Sequence, residues 1–318
     1  MPLGPKGVKA LTITGVIVGG LAVGFGGGFL IGHFAKPKVP DFDNVDINAA
    51  EDDNSGLLAR YVACKESGKD PTQEFTIPEL ANISLQKFES YEHSSTFGYG
   101  EVQSAVNLDV RDHFVRNGSE FFQESTSKSA QGAIVNVIVA QRDYQHGLEE
   151  GSDVDTYVGT INGYDAENPN WSSPTKTTRT TEEYEDTFGK KVSRTSVYII
   201  SSKSVLEDGS SVVRTADGYT ITMNLDTVKG VARYRKRMIG LSNSEIKSFE
   251  YVKLTYNVDN DFNLITSRVN EKYAAGMGGV SATCVGEMRT YYYTGTIVEI
   301  PDMNTNTVYP KEGGSNNA

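Results

Sequence analysis

The sequence predicts an α+β domain, mostly antiparallel strands with a few covering helices, set behind one N-terminal transmembrane helix. Three observations predict it. Residues 10–32 carry no charged side chain across 23 positions. From Phe97 onward apolar residues recur with a period near two, the signature of half-buried strands. Turn signals separate these runs: Asn117-Gly118, Asp208-Gly209, Asp217-Gly218 and Asp259-Asn260-Asp261.

The uncharged run, extended to Ala35, forms the expected membrane anchor (residues 1–35). At about 1.5 Å per residue its uncharged core makes a helix of roughly 34 Å, enough to cross a bilayer. It is longer than a signal-peptide core, and His33-Phe34-Ala35 lacks the paired small residues of a cleavage site, so an uncleaved anchor is expected. Lys6 and Lys9 on one side balance Lys36 and Lys38 on the other. Flanking charge therefore leaves orientation open. The short N-terminus places the remainder outside the cytoplasm. Gly20, Gly24, Gly28 and Gly32 fall four apart on one helix face, a glycine zipper of the kind that lets helix backbones approach in lipid. Homo-oligomerisation through the anchor is the corresponding expectation, beside chance spacing in a glycine-rich segment.

Residues 36–54, with Pro37, Pro40 and an Asp/Asn-rich run, read as a linker, and 309–318 as a disordered Gly/Ser/Asn tail. Between them lies the domain, 55–308. Its first helix spans Ser55 to Ser67. A second starts from Thr76 as N-cap with Pro78 in the first turn, and Leu80, Ile83, Lys87, Phe88 and Tyr91 hold helical spacing. Strands are expected at Val106–Arg116, Glu120–Ser127 and Ala133–Gln141, and 145–180 reads as long loops with short strands, Asp155–Asn162 being one. A short helix at Thr181–Phe188 stops at Gly189. Strands follow at Ser196–Leu206, Val212–Thr215 and Tyr219–Leu225, then a helix from Asp226 to Met238 ended by Gly240. Phe249–Val258, Phe262–Tyr273 and Gly286–Glu299 close the domain.

Net charge is −11 over 318 residues, against a general nucleic-acid binder, which needs a basic footprint. No GxSxG, HExxH, P-loop or dinucleotide fingerprint is present, so no catalytic residue, metal or cofactor is assigned. His33, His93, His113 and His146 show no regular spacing and read as surface or edge residues. The pairs Asp153/Asp155 and Asp259/Asp261 begin like calcium loops but lack the later glycine and glutamate, so they read as turns. Cys64 and Cys284 are either one disulfide or two buried thiols. Arg233, Arg235, Lys236 and Arg237 form a basic cluster that is either a site for an anionic surface, lipid headgroup or wall polymer, or a solvated helix face.

The strands themselves carry the strongest functional pattern. Tyr219, Ile221, Met223 and Leu225 alternate onto one side, as do Val252, Leu254 and Tyr256, then Ile265, Val269 and Tyr273. On a curved sheet they line the concave face, either as a ligand cavity or as a core beneath the helices.

The succession of Phe114-Val-Arg-Asn-Gly-Ser-Glu-Phe-Phe122, Tyr198-Ile-Ile-Ser-Ser-Lys-Ser-Val205, Asp217-Gly-Tyr-Thr-Ile-Thr-Met-Asn-Leu-Asp226, Val252-Lys-Leu-Thr-Tyr-Asn-Val-Asp259 and Val269-Asn-Glu-Lys-Tyr273 resembles the LolA, LppX and LprG-like envelope proteins, especially membrane-anchored relatives from Gram-positive bacteria. The resemblance covers residues 75 to 298. It implies a curved β half-barrel closed by helices, holding acyl chains on its concave side without catalysis. A lipid or other apolar ligand is thus one expectation, and a structural or signalling ectodomain with a filled core the other. The anchor departs from the lipoprotein members, and no individual lipid-contact residue carries over.

Overall fold

The structure, a computed structural model, describes residues 45–88, 93–102, 106–117, 120–131, 135–146, 152–161, 171–192, 194, 196–242, 245–277, 280–293, 299–300 and 302–303. The expected anchor with its four spaced glycines, residues 36–44 of the expected linker and the tail all lie outside this set. Among the described residues no helix is long and apolar enough to cross a membrane.

The helices are α1 (Ile47–Ala50), α2 (Leu57–Glu66), α3 (Pro71–Glu74), α4 (Ile77–Phe88), α5 (Thr181–Phe188) and α6 (Ala232–Ser242). The strands are β1 (His93–Val102), β2 (Val106–Asn117), β3 (Glu120–Gln131), β4 (Val135–His146), β5 (Asp153–Ile161), β6 (Trp171–Thr180), β7 (Val205–Arg214), β8 (Gly218–Leu225), β9 (Glu245–Asp259), β10 (Leu264–Met277) and β11 (Val280–Tyr293). Two antiparallel meanders, β1–β6 and β7–β11, join edge to edge through β1 and β11 into one sheet ordered β6-β5-β4-β3-β2-β1-β11-β10-β9-β8-β7. β6 and β7 remain at opposite edges, so the architecture is α+β and not a closed barrel.

Local chemistry explains several element ends. Thr76 and Glu79 cap α4 reciprocally: Thr76 N donates to Glu79 Oε2 at 2.8 Å, and Glu79 N to Thr76 Oγ1 at 3.4 Å. Thr180 and Glu183 make the same box on α5. β2 and β3 pair as expected, with Asn117 opposite Glu120. Gly189 ends α5 at φ +74°, where a Cβ would lie 2.5 Å from the Arg233 carbonyl oxygen. Gly189→Ala should therefore cost at least about 2 kcal/mol, from left-handed backbone strain and this clash. A shift of the urea midpoint measures it, and an unchanged midpoint would contradict the packing of α5 on α6.

Three expectations are corrected and one is refined. Residues 45–54 are docked and not a free linker: Asp46 caps α1, Ala50 is buried with Ile199 and Ala232, and Ser201 Oγ donates to Ala50 O at 2.7 Å. Residues 196–204 are not a strand. Tyr198, Ile199, Ile200 and Ser201 are buried in succession as the chain crosses from the β6 edge to the β7 edge. Trp171–Thr180, read within a loop-rich stretch, is edge strand β6. The helix expected from Asp226 starts later, at Ala232, and runs past Gly240. Asp226 caps the preceding turn, accepting from Val228 N at 2.9 Å and Lys229 N at 2.7 Å.

The core lies between the sheet and this helical layer. Phe88 of α4 packs edge-on to Tyr292 of β11, 4.4 Å between centroids, and also against Phe114 of β2. Tyr219 stacks on Phe262 at 5.0 Å, and Tyr61 of α2 meets the same ring. Burial of this aromatic surface is the main stabilising term.

Candidate functional site

One hollow lies under the crossing segment at the middle of the sheet. Asp112 of β2, Gln123 of β3, Met288, Thr290 and Tyr292 of β11, Ser267 and Val269 of β10 and Leu254 and Tyr256 of β9 all reach it. In sheet order those strands span five spacings, β3-β2-β1-β11-β10-β9, or about 24 Å on a flat sheet. A hollow of about 100 Å³ touches all of them, so the sheet curls around it. The hollow lies on the concave side of that curl.

Helices and crossing chain supply the other wall: Leu85 of α4, Lys190, Ser196 and Tyr198 of the crossing segment, and Tyr234 and Arg237 of α6. Lys190 is 1 % exposed and donates to Gln123 Oε1 at 2.8 Å and Arg194 O at 2.6 Å. Burial pulls its pKa down to about 7, helped by Arg237, while Asp143 and Asp112 act the other way. Asp112 moves up to about 7, again through burial, with Ser125, Arg237 and Lys190 opposing. Asp143 accepts from Tyr184 Oη at 2.7 Å and Thr156 Oγ1 at 2.9 Å, which fixes α5 over β4.

Beside the hollow, Glu271 of β10 is fully buried. Its carboxylate accepts from Tyr234 Oη at 2.8 Å and Tyr198 Oη at 3.1 Å, so one side chain holds both α6 and the crossing segment. Burial raises its pKa to about 7, and the two tyrosine donors offset part of that. The two tyrosine rings lie 5.2 Å apart.

The expected concave residues divide into three groups. Leu254, Tyr256 and Val269 border the hollow. Tyr219, Ile221, Met223, Leu225, Val252 and Tyr273 are buried in the core beneath the helices. Ile265 is 40 % exposed and lines nothing there. The β9–β10 register shifts between Leu264 and Thr266, which places Leu264 inward and turns Ile265 out.

The basic cluster is also corrected: it is not a surface for anions. Arg233, Arg235 and Arg237 are all buried. Arg233 bonds Glu51 Oε1 at 2.9 Å and Gly189 O at 2.9 Å, and Arg235 donates to Ile246 O at 3.1 Å. Only Lys236 reaches solvent, paired with Asp186 at 3.1 Å. Glu51 also receives Arg194. Partial burial raises its pKa, but the two arginines outweigh that and hold it below the usual value.

On the outer face, Glu124 of β3 and Arg142 of β4 form a buried ion pair, and Arg142 Nη1 also donates to the carbonyls of Asp302 and Met303. His113 lies opposite Glu124 in register and is buried with its ring edge-on to Phe122. That corrects the surface reading of His113. His146 is exposed and bonds Glu120 at 2.8 Å. Asp259 makes a turn, accepting from Asp261 N and Asn263 N at 2.8 Å each. Among the described residues no three His, Cys, Asp or Glu side chains gather as a metal site. Cys64 and Cys284 are separate buried thiols, the latter pushed up to about 12 by burial.

The sequence missed Asp112, Lys190 and Glu271. Each is a charged residue at a position whose strand or loop neighbours are polar, and only the curl of the sheet brings them inside.

No family model and no curated protein matches the chain. Among solved structures it is similar to the beta-barrel-like protein of domain of unknown function DUF1849 from Brucella abortus, at 11% identity and TM-score 0.24, covering 64% of this chain and 98% of that one. It is also similar to a DUF1329 family protein from Desulfovibrio piger ATCC 29098, at 11% identity and TM-score 0.27, covering 72% of this chain and 95% of that one. At these scores the likenesses bear on neither site nor ligand.

Proposed function

We propose that the chain is a non-catalytic binding protein that takes a lipid or other apolar ligand into the concave side of its half-barrel. The observation that carries this reading is the hollow at the centre of the curled sheet, with Leu254, Val269 and Met288 on one wall. The 23-residue uncharged stretch supports a single-pass tether with the half-barrel outside the cytoplasm. At about 100 Å³ the hollow suits a chain end or a small ring; for comparison, an engineered cavity of about 150 Å³ holds benzene. A whole acyl chain requires α6 and the crossing segment to part from the sheet.

Native mass spectrometry of the gently extracted chain, with titration of a fluorescent fatty-acid probe, tests this. Co-purifying lipid or saturable uptake is the expected result. Neither lipid nor uptake would overturn it and favour the second reading, a structural or signalling ectodomain that works through protein or wall contacts and anchor self-association. The observation favouring that alternative is the packed state of eight of the ten alternating residues.

A further inference from the structure

The inner hollow shares three lining residues with a second one. The outer hollow, about 340 Å³, opens between α4 and the crossing segment, with Glu51, Asn54, Asn82, Gln86 and Arg194 among its lining. Leu85, Ser196 and Tyr198 line both spaces. Alone, the inner space is too small for most ligands; joined, the two fall within the ~300–1,000 Å³ range of small-molecule sites.

We propose that the two hollows form one site for an elongated, uncharged amphiphile that enters past Tyr198 and sets a hydroxyl on Asp112. This rests on the binding reading above and names its entry and ligand class. Asp112 Oδ1 and the Ser125 Oγ opposite it are both buried; Ser125 helps hold the carboxyl ionised, yet neither atom completes a hydrogen bond among the described residues, and buried polar atoms of that kind call for a further partner. The partner is neutral on grounds of charge. Lys190 and Arg237 already face Asp112 and Asp143 in this region, so a carboxylate or an ammonium adds a charge without a counterpart in a poorly solvated space. A hydroxyl donates without disturbing that balance. The apolar stretch of the ligand then runs along Leu85, Val269 and Met288. Tyr198 suits a gate because the hydrogen bond from its hydroxyl to Glu271, at 3.1 Å, tethers the ring that stands between the two hollows.

Calorimetric titration of the full chain with 1-octanol, octanoate and octylamine tests the class, and two substitutions test the geometry. Octanol should bind, with octanoate and octylammonium at least tenfold weaker. Asp112→Leu should weaken octanol at least tenfold, while Asp112→Asn, which keeps an acceptor, retains it. Ser196→Trp, filling the passage, should slow association at least tenfold by stopped-flow fluorescence, with unchanged circular dichroism. Octanol binding that survives both Asp112→Leu and Ser196→Trp would overturn this site but leave the concave-face reading standing. A preference for octanoate or octylamine would overturn the ligand class. Failure of octanol and of the fatty-acid probe alike would overturn both.

Discussion

Arg142→Ala destabilises the chain by about 3–5 kcal/mol, the largest effect expected of any single substitution described here. Arg142 and Glu124 are 0 % and 1 % exposed, so truncation removes the cation from a carboxylate that water does not reach. Replacing both together, Arg142→Met with Glu124→Leu, should recover most of that loss, because the cost lies in the uncompensated charge and not in the missing attraction. Arg142 also ties down the carbonyls of Asp302 and Met303. The single variant should therefore release the segment at residues 302–303 to proteolysis while the remaining core still resists. Urea titration of both variants and timed digestion provide the measurements. A double variant no more stable than the single would refute the charge argument.

Glu271→Gln gives the second large effect, and it depends on pH. The Glu271 pKa is raised from 4.5 to about 7 on folding. Between those values the folded chain holds a proton that the unfolded chain has lost. The stability this confers is present in full below about 4.5 and is lost as pH rises through 7, a difference on the order of 3 kcal/mol. Asp112 acts in the same direction over a similar window. Lys190, lowered from 10.5 to about 7, has the opposite slope: stability is recovered as pH climbs from 7 toward 10.5. These three groups place a minimum near neutrality. Glutamine retains hydrogen bonding to both tyrosines, accepting from one and donating to the other oxygen. The variant should match the wild type near pH 4.5 and exceed it at pH 7. Parallel urea midpoints for the two proteins across that range would show that Glu271 does not titrate as described.

Much of the local structure was legible because it is set by residues close in sequence. The Thr180–Glu183 box and Gly189 fix both ends of α5 within ten residues. β2 and β3 pair on either side of the expected turn, with Asn117 opposite Glu120, and Tyr219 to Leu225 alternate as a half-buried strand should. The failures depend on distant partners. Arg233 reads as a surface charge until Glu51, 182 positions away, is brought beside it. Val197 to Ile200 have strand-forming side chains, but successive burial replaces alternation because the segment covers the sheet and does not join it. Trp171–Thr180 is rich in Ser and Thr because it is an edge strand with little to bury, and such strands look like loops. Ile265 fails through one register shift, which alternation alone does not reveal. The chamber was the least legible part, since Asp112, Lys190 and Arg237 converge only once the sheet curls.

The pairing of β1 with β11 also has a consequence for the order of assembly. A chain that emerges from its N-terminus can form the β1–β6 meander, and later the β7–β10 meander, as each is completed. Neither has its partner across the seam until β11 arrives, because that strand alone bonds to both β1 and β10. Up to that moment two unpaired edges face outward, each a template for another chain. β11, which follows both meanders among the described strands, is thus the keystone of the sheet, and truncations that stop short of residue 280 should leave two halves prone to aggregation in place of one continuous sheet.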